Sequence, residues 1–189
     1  MKTFSLAAFL LLLLVSLPAR STDYAQAPGS SLEFIGKYYD TPFKGKFPGF
    51  NTRLSFDPTN LAEATLDVSI PLMGANTGNA DYDNQMHSTA FFDTKHFPQA
   101  RYSARRFRHL GGSRYAADGT LTLRGVSHPV TLTFTWKPGA KAILTGQATV
   151  QRSAFGVGSG AMVDAGILPS DIPDDIQVRT KVVLKPAAR

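Results

Sequence analysis

Apolar and polar residues alternate along most of this chain, most cleanly where Ala64, Leu66, Val68 and Ile70 take one face and Thr65, Asp67 and Ser69 the other. A period of two is the side-chain spacing of a strand that buries one face and wets the other. Val130, Leu132, Phe134 and Trp136 repeat the pattern against Thr131, Thr133 and Thr135, and Leu121 and Leu123 repeat it against Thr120, Thr122 and Arg124. Further strands are expected over Ser31 to Tyr38, Phe47 to Phe56, Ala100 to Phe107, Ser113 to Ala117, Ile143 to Gln151 and Ile176 to Lys185. Asp118-Gly119, Gly125 and His128-Pro129 read as the turns around the Leu121 strand. About eight or nine short strands without a strand-helix-strand rhythm predict an all-β fold, an antiparallel barrel or sandwich.

The inward positions of these strands carry large side chains: Phe34, Phe47, Phe50, Phe56, Tyr102, Phe107, Phe134 and Trp136. A barrel of about eight strands is just wide enough to be filled by side chains or to hold one slender ligand, and alternation alone leaves both open. Gly36, Gly49, Gly74 and Gly146 lie in or beside strands, where they permit bends, so a curved, closed sheet is expected rather than a flat one. A transmembrane barrel would turn its apolar face to lipid and end on an aromatic strand terminus. This chain ends Leu184-Lys185-Pro186-Ala187-Ala188-Arg189, which fits that architecture poorly.

One stretch breaks the alternation: residues 76–98 read NTGNADYDNQMHSTAFFDTKHFP. A short helical insert is expected near residues 79–90, with Asn79 as N-cap and Asp81 and Asp83 at the positive end of the helix dipole. Asp83 and His87, four apart, would share a helix face. Phe91, Phe92 and Phe97, closed by Pro98, would seat the insert on the barrel mouth. His87, His96 and a carboxylate such as Asp93 are the nearest approach to a metal set. No HExxH-type or CxxC-type spacing accompanies them, so capping and surface hydrogen bonding is the simpler account and no metal ligand is assigned.

The N-terminus adds a compartment. Lys2, an apolar run from Phe4 to Leu17, then Pro18, Ala19, Arg20 and Ser21 have the charged-apolar-small order of a secretory signal peptide, with a cut after Ala19 or after Ser21. The run is shorter than the roughly 20 residues of a spanning helix. A leader over residues 1–21 leaves residues 22–189 as one domain, with a core large enough to stand without disulfides, which the lack of cysteine rules out. The formal charge of +6 is modest. Arg101, Arg105, Arg106 and Arg108 form its dense cluster on a strand, without interleaved stacking aromatics. They read as a solvated face, or else a patch for anionic headgroups, and nucleic acid is not an expected partner.

Catalytic signatures are missing. There is no cysteine nucleophile, Ser153 and Ser159 lack a nucleophile-elbow setting, and Gly156-Val157-Gly158-Ser159-Gly160 lacks the Lys-Ser/Thr of a phosphate loop. His128, before Pro129, reads as a turn residue. No catalytic residue and no cofactor is assigned.

The run from Thr77-Gly78-Asn79 to Asp83, then His87-Ser88-Thr89-Ala90-Phe91-Phe92-Asp93 and Phe97-Pro98, resembles the YceI-like family of exported, lipocalin-like proteins. Gly119-Thr120-Leu121-Thr122-Leu123-Arg124-Gly125-Val126-Ser127-His128-Pro129-Val130 continues the resemblance. So do Gly45-Lys46-Phe47, Phe56-Asp57-Pro58 and Ser153-Ala154-Phe155-Gly156. The resemblance implies a single lipocalin-like antiparallel β-barrel in the periplasm. It would hold a long polyisoprenoid or similar amphipathic lipid, often as a homodimer and with transient membrane contact. The lining would then comprise Phe34, Phe47, Phe50, Phe56, Val68, Ile70, Tyr102, Leu121, Leu123, Leu132, Phe134 and Trp136, and the mouth Asp83, His87, Phe91, Phe92, Phe97 and Phe155. The chain departs from the family pattern at Gly29, where a His is usual, at Tyr82, where an Arg is usual, and at Met86 for Leu. An enzyme acting on an isoprenoid or lipid headgroup and a ligand-free envelope interaction module are the competing readings. The segment from Gly156 to Pro173, with Met162, Val163, Ile167, Leu168 and Ile172, is either a second mouth-closing loop or a dimer contact.

Overall fold

The last strand is the seam of the structure, a computed structural model that describes residues 21–159 and 169–187. This strand, Asp175–Pro186, pairs along one side with Ala142–Gln151 and on the other with two strands in succession, Ser31–Tyr38 and Thr22–Gln26. In chain order the strands are β1 Thr22–Gln26, β2 Ser31–Tyr38, β3 Thr41–Lys46, β4 Asn51–Phe56, β5 Thr65–Pro71, β6 Gln99–His109, β7 Arg114–Leu123, β8 Val126–Lys137, β9 Ala142–Gln151 and β10 Asp175–Pro186. One α-helix, α1 Ala80–His87, lies between β5 and β6. Every ladder is antiparallel, and the order β1-β4-β5-β6-β7-β8-β9-β10 closes on itself through the β1–β10 pairing, making an eight-stranded barrel.

The first hairpin is broken into two storeys. β1 and β2 run end to end along β10, interrupted around Gly29, whose φ of +94° suits a residue without a Cβ. β3 and β4 are likewise separated by the Pro48-Gly49 turn. The lower storey, β1 with β4, belongs to the ring, and the upper, β2 with β3, rises beside it. Among the described residues no strand pairs with the far edge of β3. The insert fills that gap: Lys46 and Asn76 exchange backbone hydrogen bonds of 2.9 and 3.0 Å, and the Leu72 amide donates to the Pro98 carbonyl at 2.9 Å. The break in the alternation therefore has a structural role, since it seals the ring where a ladder is missing.

Most expected strands form within a residue or two of their predicted ends, with four corrections, the first being that the strand expected over Phe47 to Phe56 begins only at Asn51, after the Pro48-Gly49 turn. Asp118-Gly119 is no turn, because β7 runs unbroken through it. A Cβ at Gly119 would meet the Tyr102 ring at 2.6 Å, so the glycine makes room for a neighbouring side chain. His128-Pro129 lies inside β8, with His128 paired to Leu121 and Pro129 to Thr120. Pro129 is tolerated there because pairing to β9 begins only at Thr133, leaving that stretch an open edge. The β1 and β3 strands were not expected; β3 carries Pro42 and Gly45, which weaken its strand signal, and forms because β2 templates it.

Outward positions hold Thr131, Thr133 and Thr135 on β8 and Arg101, Arg105, Arg106 and Arg108 on β6. Arg105 is bound to Asp67 at 2.9 Å and Arg108 to Asp118 at 2.7 Å, as a solvated face allows. The apolar residues face the interior, the reverse of a lipid-facing barrel. Among the described residues no helix is long and apolar enough to cross a membrane. The expected leader, apart from Ser21, lies outside the described residues.

Candidate binding cavity

The barrel interior is solid at one end and hollow at the other. At the solid end Phe56, 1% exposed, sits among four rings: Tyr115 at 5.1 Å, Trp136 at 5.1 Å, Phe134 at 5.7 Å and Phe107 at 5.9 Å between centroids. Tyr24 of β1 packs edge-on against Trp136 at 5.3 Å. Rings in edge-to-face array fill volume densely and stabilise one another beyond simple burial. This plug is the floor.

Above it lies a cavity of about 210 Å³ whose wall presents carbon to the space. Phe50, just before β4, and Thr52 on it line it while Leu54 and Phe56 fall below. Along β8, Val130 and Leu132 line it while Phe134 and Trp136 do not. Val68, Ile70, Val130 and Leu132 are inward yet only half-buried, because they face this space rather than packed atoms. Leu32, Phe34, Phe43 and Phe47 from the first hairpin, and Ile176, Val178 and Val182 from β10, complete the opposite wall.

The insert and two loops close over the upper end. Asn79 caps α1 as expected, its side-chain oxygen accepting from the Asp81 and Tyr82 amides at 2.9 and 3.2 Å. Asp83 turns to the preceding loop, accepting from the Thr77 amide and hydroxyl at 2.7 Å each and from Asn76 at 3.2 Å. It thus orders residues 76–79 and does not line the cavity. Met86, buried beside Phe34 and Ala75, points the helix inward, and Phe91 and Phe92 follow it into the wall. Arg124 fastens this assembly from outside. It occupies the tight β7–β8 turn at φ +51° with Gly125 at +75°, and its guanidinium donates to the Thr89 carbonyl at 3.0 Å and to the Ala90 and Gly156 carbonyls. The Gly158 amide also donates to Ala90, at 2.8 Å, so insert and following loop share one acceptor.

Among the described residues, Arg152 is the buried cation of the wall. It is 6% exposed and donates to the carbonyls of Val157 at 2.9 Å, Gly158 at 3.0 Å, Ile172 at 2.6 Å and Pro173 at 3.2 Å. Burial pulls its pKa below the ordinary arginine value, with the Asp174 carboxylate opposing. Tyr102, in the opposite wall, donates its hydroxyl to the Ala117 carbonyl at 2.7 Å, and burial pushes its pKa well up. Both groups thus hydrogen-bond to backbone carbonyls.

Of the residues singled out in the sequence, Phe34, Phe47, Phe50, Val68, Ile70, Phe91, Phe92, Tyr102, Leu121, Leu123 and Leu132 line the cavity. Phe56, Phe134 and Trp136 belong to the plug instead. Phe97 lies against Gly125, within 3.0 Å of where a Cβ would stand, so it braces the turn that carries Arg124. Phe155 is buried in a short 3₁₀ turn, with the His128 ring edge-on at 5.2 Å. His87 ends α1, where its carbonyl accepts from Thr94. His96 pairs with Asp93 at 2.9 Å on the surface, and among the described residues no three metal-binding side chains converge. Met162, Val163, Ile167 and Leu168 lie outside the described residues.

Sequence reasoning missed Leu144, Ala148 and Val150 on β9 and Ile176, Val178, Thr180 and Val182 on β10. Strand parity would have found them, since both segments were expected as strands. Thr52 and Arg152 carried no such signal, being polar.

An eight-stranded antiparallel barrel with an apolar hollow above an aromatic plug defines a lipocalin-like binding fold. More narrowly, the chain belongs to the YceI-like family: the YceI-like domain profile matches residues 25–184. The crystal structure of Burkholderia cenocepacia BcnA is similar at a TM-score of 0.74 and 29% identity, over 82% of this chain and 95% of that one. A polyisoprenoid binding domain from Saccharophagus degradans shares the fold at a TM-score of 0.68 and 14% identity, over 88% and 99%. A UPF0312 protein of Photorhabdus laumondii is 33% identical over 47% of this chain, a match spanning 45% of that protein's length. One from Vibrio campbellii is 28% identical over 68% of this chain and 71% of its own.

Proposed function

We propose that this protein is a periplasmic binding or carrier protein for a long-chain polyisoprenoid or similar amphipathic lipid held in the barrel. The observation that carries the reading is the cavity itself, carbon-walled and about 210 Å³. Sites for drug-sized ligands span roughly 300–1,000 Å³, so a slender chain fits this smaller space better than a bulky ligand would. Each methylene buried there contributes about 0.8 kcal/mol, and ordering the chain offsets part of that gain. The Saccharophagus degradans domain, described as polyisoprenoid binding, supports the same ligand class. The wall's described polar side chains, Thr52, Tyr102, Arg152 and Thr180, support binding as the reading, with Tyr102 and Arg152 hydrogen-bonded to backbone carbonyls. The signal-peptide pattern at the N-terminus supports the periplasm, and transient contact with a membrane gives the lipid its route in.

Native mass spectrometry of protein purified without detergent from its own envelope tests this. A lipid adduct is expected, removed by solvent extraction and lost in Val68→Trp, which fills the cavity. Persistent absence of an adduct, together with no displacement of a fluorescent apolar probe by any long-chain lipid, would sink the reading.

A further inference from the structure

The outer face of β10, β2 and β3 gathers cations that no single strand reveals. Register sets Arg114 of β7 in one row with Thr135, Thr145, Lys181 and Ser31 on the strands that follow it around the barrel. The next row holds Gln147, Arg179, Glu33 and Lys46, and the one beyond it Thr149, Gln177, Ile35 and Lys44. Arg114, Arg179, Lys181, Lys44 and Lys46 are all exposed. Glu33 is the carboxylate of these rows, and Lys44 holds it at 2.8 Å. Among the described residues Arg114, Arg179, Lys181 and Lys46 have no ion-pair partner. The arginines of β6 differ, since Arg105 is met by Asp67 at 2.9 Å, and Arg106 and Arg108 share Asp118 at 3.9 and 2.7 Å. The denser cluster in sequence is the better compensated one in space.

This face is the outer skin of the cavity wall. Arg179 and Lys181 alternate with Val178, Thr180 and Val182, and Lys44 and Lys46 stand between Phe43 and Phe47, all five inward residues lining the cavity. Short side chains, Thr135 and Thr145, separate Arg114 from Lys181 and leave a shallow groove there. With strands about 4.8 Å apart, Arg114 and Lys181, three strands from each other, are separated by roughly 14 Å along the sheet. The outside of a barrel is convex, so its side chains splay. Like charges left uncompensated repel one another, and anions from outside relieve that repulsion. Cations spread over a surface in this way meet an array of anions better than one bound ion, and the phosphates of a bilayer surface are such an array.

We propose that this face docks the protein on an anionic phospholipid bilayer, with Arg114, Arg179, Lys181, Lys44 and Lys46 against the headgroup phosphates. This rests on the carrier reading above and names the surface through which the membrane contact is made. Docked so, the protein lays its cavity wall on the source of the lipid.

The test is co-sedimentation of the exported protein with vesicles of phosphatidylglycerol mixed into phosphatidylcholine, set against vesicles of phosphatidylcholine alone. Wild type is expected to bind the anionic vesicles only and to be released at about 1 M salt, where the Debye length falls to roughly 3 Å. Arg114→Gln combined with Arg179→Gln and Lys181→Gln is expected to bind about a hundredfold more weakly, from the summed contribution of basic residues at such a surface. Arg101→Gln combined with Arg105→Gln and Arg106→Gln changes the net charge equally and is expected to bind nearly as wild type does. Both variants should keep their affinity for N-phenylnaphthylamine, which reports an intact cavity. Equal losses in the two triple variants, or no preference of wild type for anionic vesicles, would overturn the docking face and leave the carrier reading standing. Wild type held by immobilised heparin but by no vesicle would assign the face to another polyanion and overturn the bilayer as its partner. Vesicle binding as expected, in a protein that takes up neither the fluorophore nor any long-chain lipid, would support the face and overturn the carrier reading instead.

Discussion

The ring of Phe34 occupies the space over Gly45, its cross-strand partner on β3, so that a Cβ on Gly45 would lie inside the ring's contact distance. The relationship is reciprocal: Phe43 on β3 covers Gly36 on β2 in the same way. Covering a strand glycine with an aromatic neighbour compensates for the missing side chain. Here it also sets the ring positions at the upper storey, since both phenylalanines line the cavity.

Gly45→Ala should therefore drive the Phe34 ring off its seat. Phe34 is 5% exposed and packed against Phe47 at 4.9 Å, so the ring's main free direction is the cavity. Overpacking of this kind destabilises by about 1–3 kcal/mol, and probe affinity should fall with it. Gly36→Ala should do less, because half-buried Phe43 can swing away. Equal effects from the two, measured by urea denaturation and probe titration, would show that Phe34 is not held as described.

Arg124→Asn isolates the clamp. Asparagine tolerates the positive φ of this turn, so backbone strain is unchanged and only the bonds to Thr89, Ala90 and Gly156 are lost. A loss of about 1–3 kcal/mol is expected from the uncapped carbonyls. Faster hydrogen exchange at the Gly158 amide, which shares the Ala90 acceptor, is the local readout; unchanged exchange there would refute the clamp.

Stability should divide at the cavity floor. Phe56→Ala removes the centre of the plug and is expected to cost about 3–5 kcal/mol. Val68→Ala borders existing empty space and should cost only about 1 kcal/mol, while enlarging the cavity. Comparable losses at both positions in thermal denaturation would mean that the hollow half is packed as tightly as the plug.

Acid should weaken the barrel through Asp118. Its pKa is lowered from 3.8 to about 2, chiefly by the Arg108 hydrogen bond at 2.7 Å and also by Thr131, against some desolvation. A depressed carboxylate contributes stability that is full above its unfolded value and is lost as pH falls through its folded one. The window therefore runs from about pH 4 down to about pH 2. Asp118→Asn should shrink the fall in denaturation midpoint across that window without abolishing it, since Asp57, Asp67 and Asp174 are depressed as well. A fall of undiminished size in Asp118→Asn would remove Asp118 from the account.

Much of this was legible because local rules were sufficient. Alternation at Ala64 to Ile70 and at Val130 to Trp136 identified strands and their buried faces, and the Asn79 cap lies where its residue type and the polar insert indicated. Asp118-Gly119 and His128-Pro129 misled for one shared reason. Turn-forming residues also serve inside strands, where a neighbouring ring needs space or an edge is unpaired, and both conditions come from partners far along the chain. Asp83 and His87 were four apart on a helix face, yet Asp83 turned to Thr77, a partner that helix periodicity does not show.

By itself the sequence determined which side chains face inward, because strand parity is a property of the backbone and needs no neighbour. Only the tertiary structure decided which inward residues fill the barrel and which enclose a hollow. Phe56, Phe134 and Trp136 have the same parity and chemistry as Phe34, Phe47 and Phe50, but ring closure brings the first three together at one end of the barrel, where they meet and exclude space. Farther along, register aligns Thr52, Val68, Tyr102 and Leu121, all of which line the cavity. Whether space remains depends on the summed volume of residues distant in sequence, which closure of the sheet brings to one level.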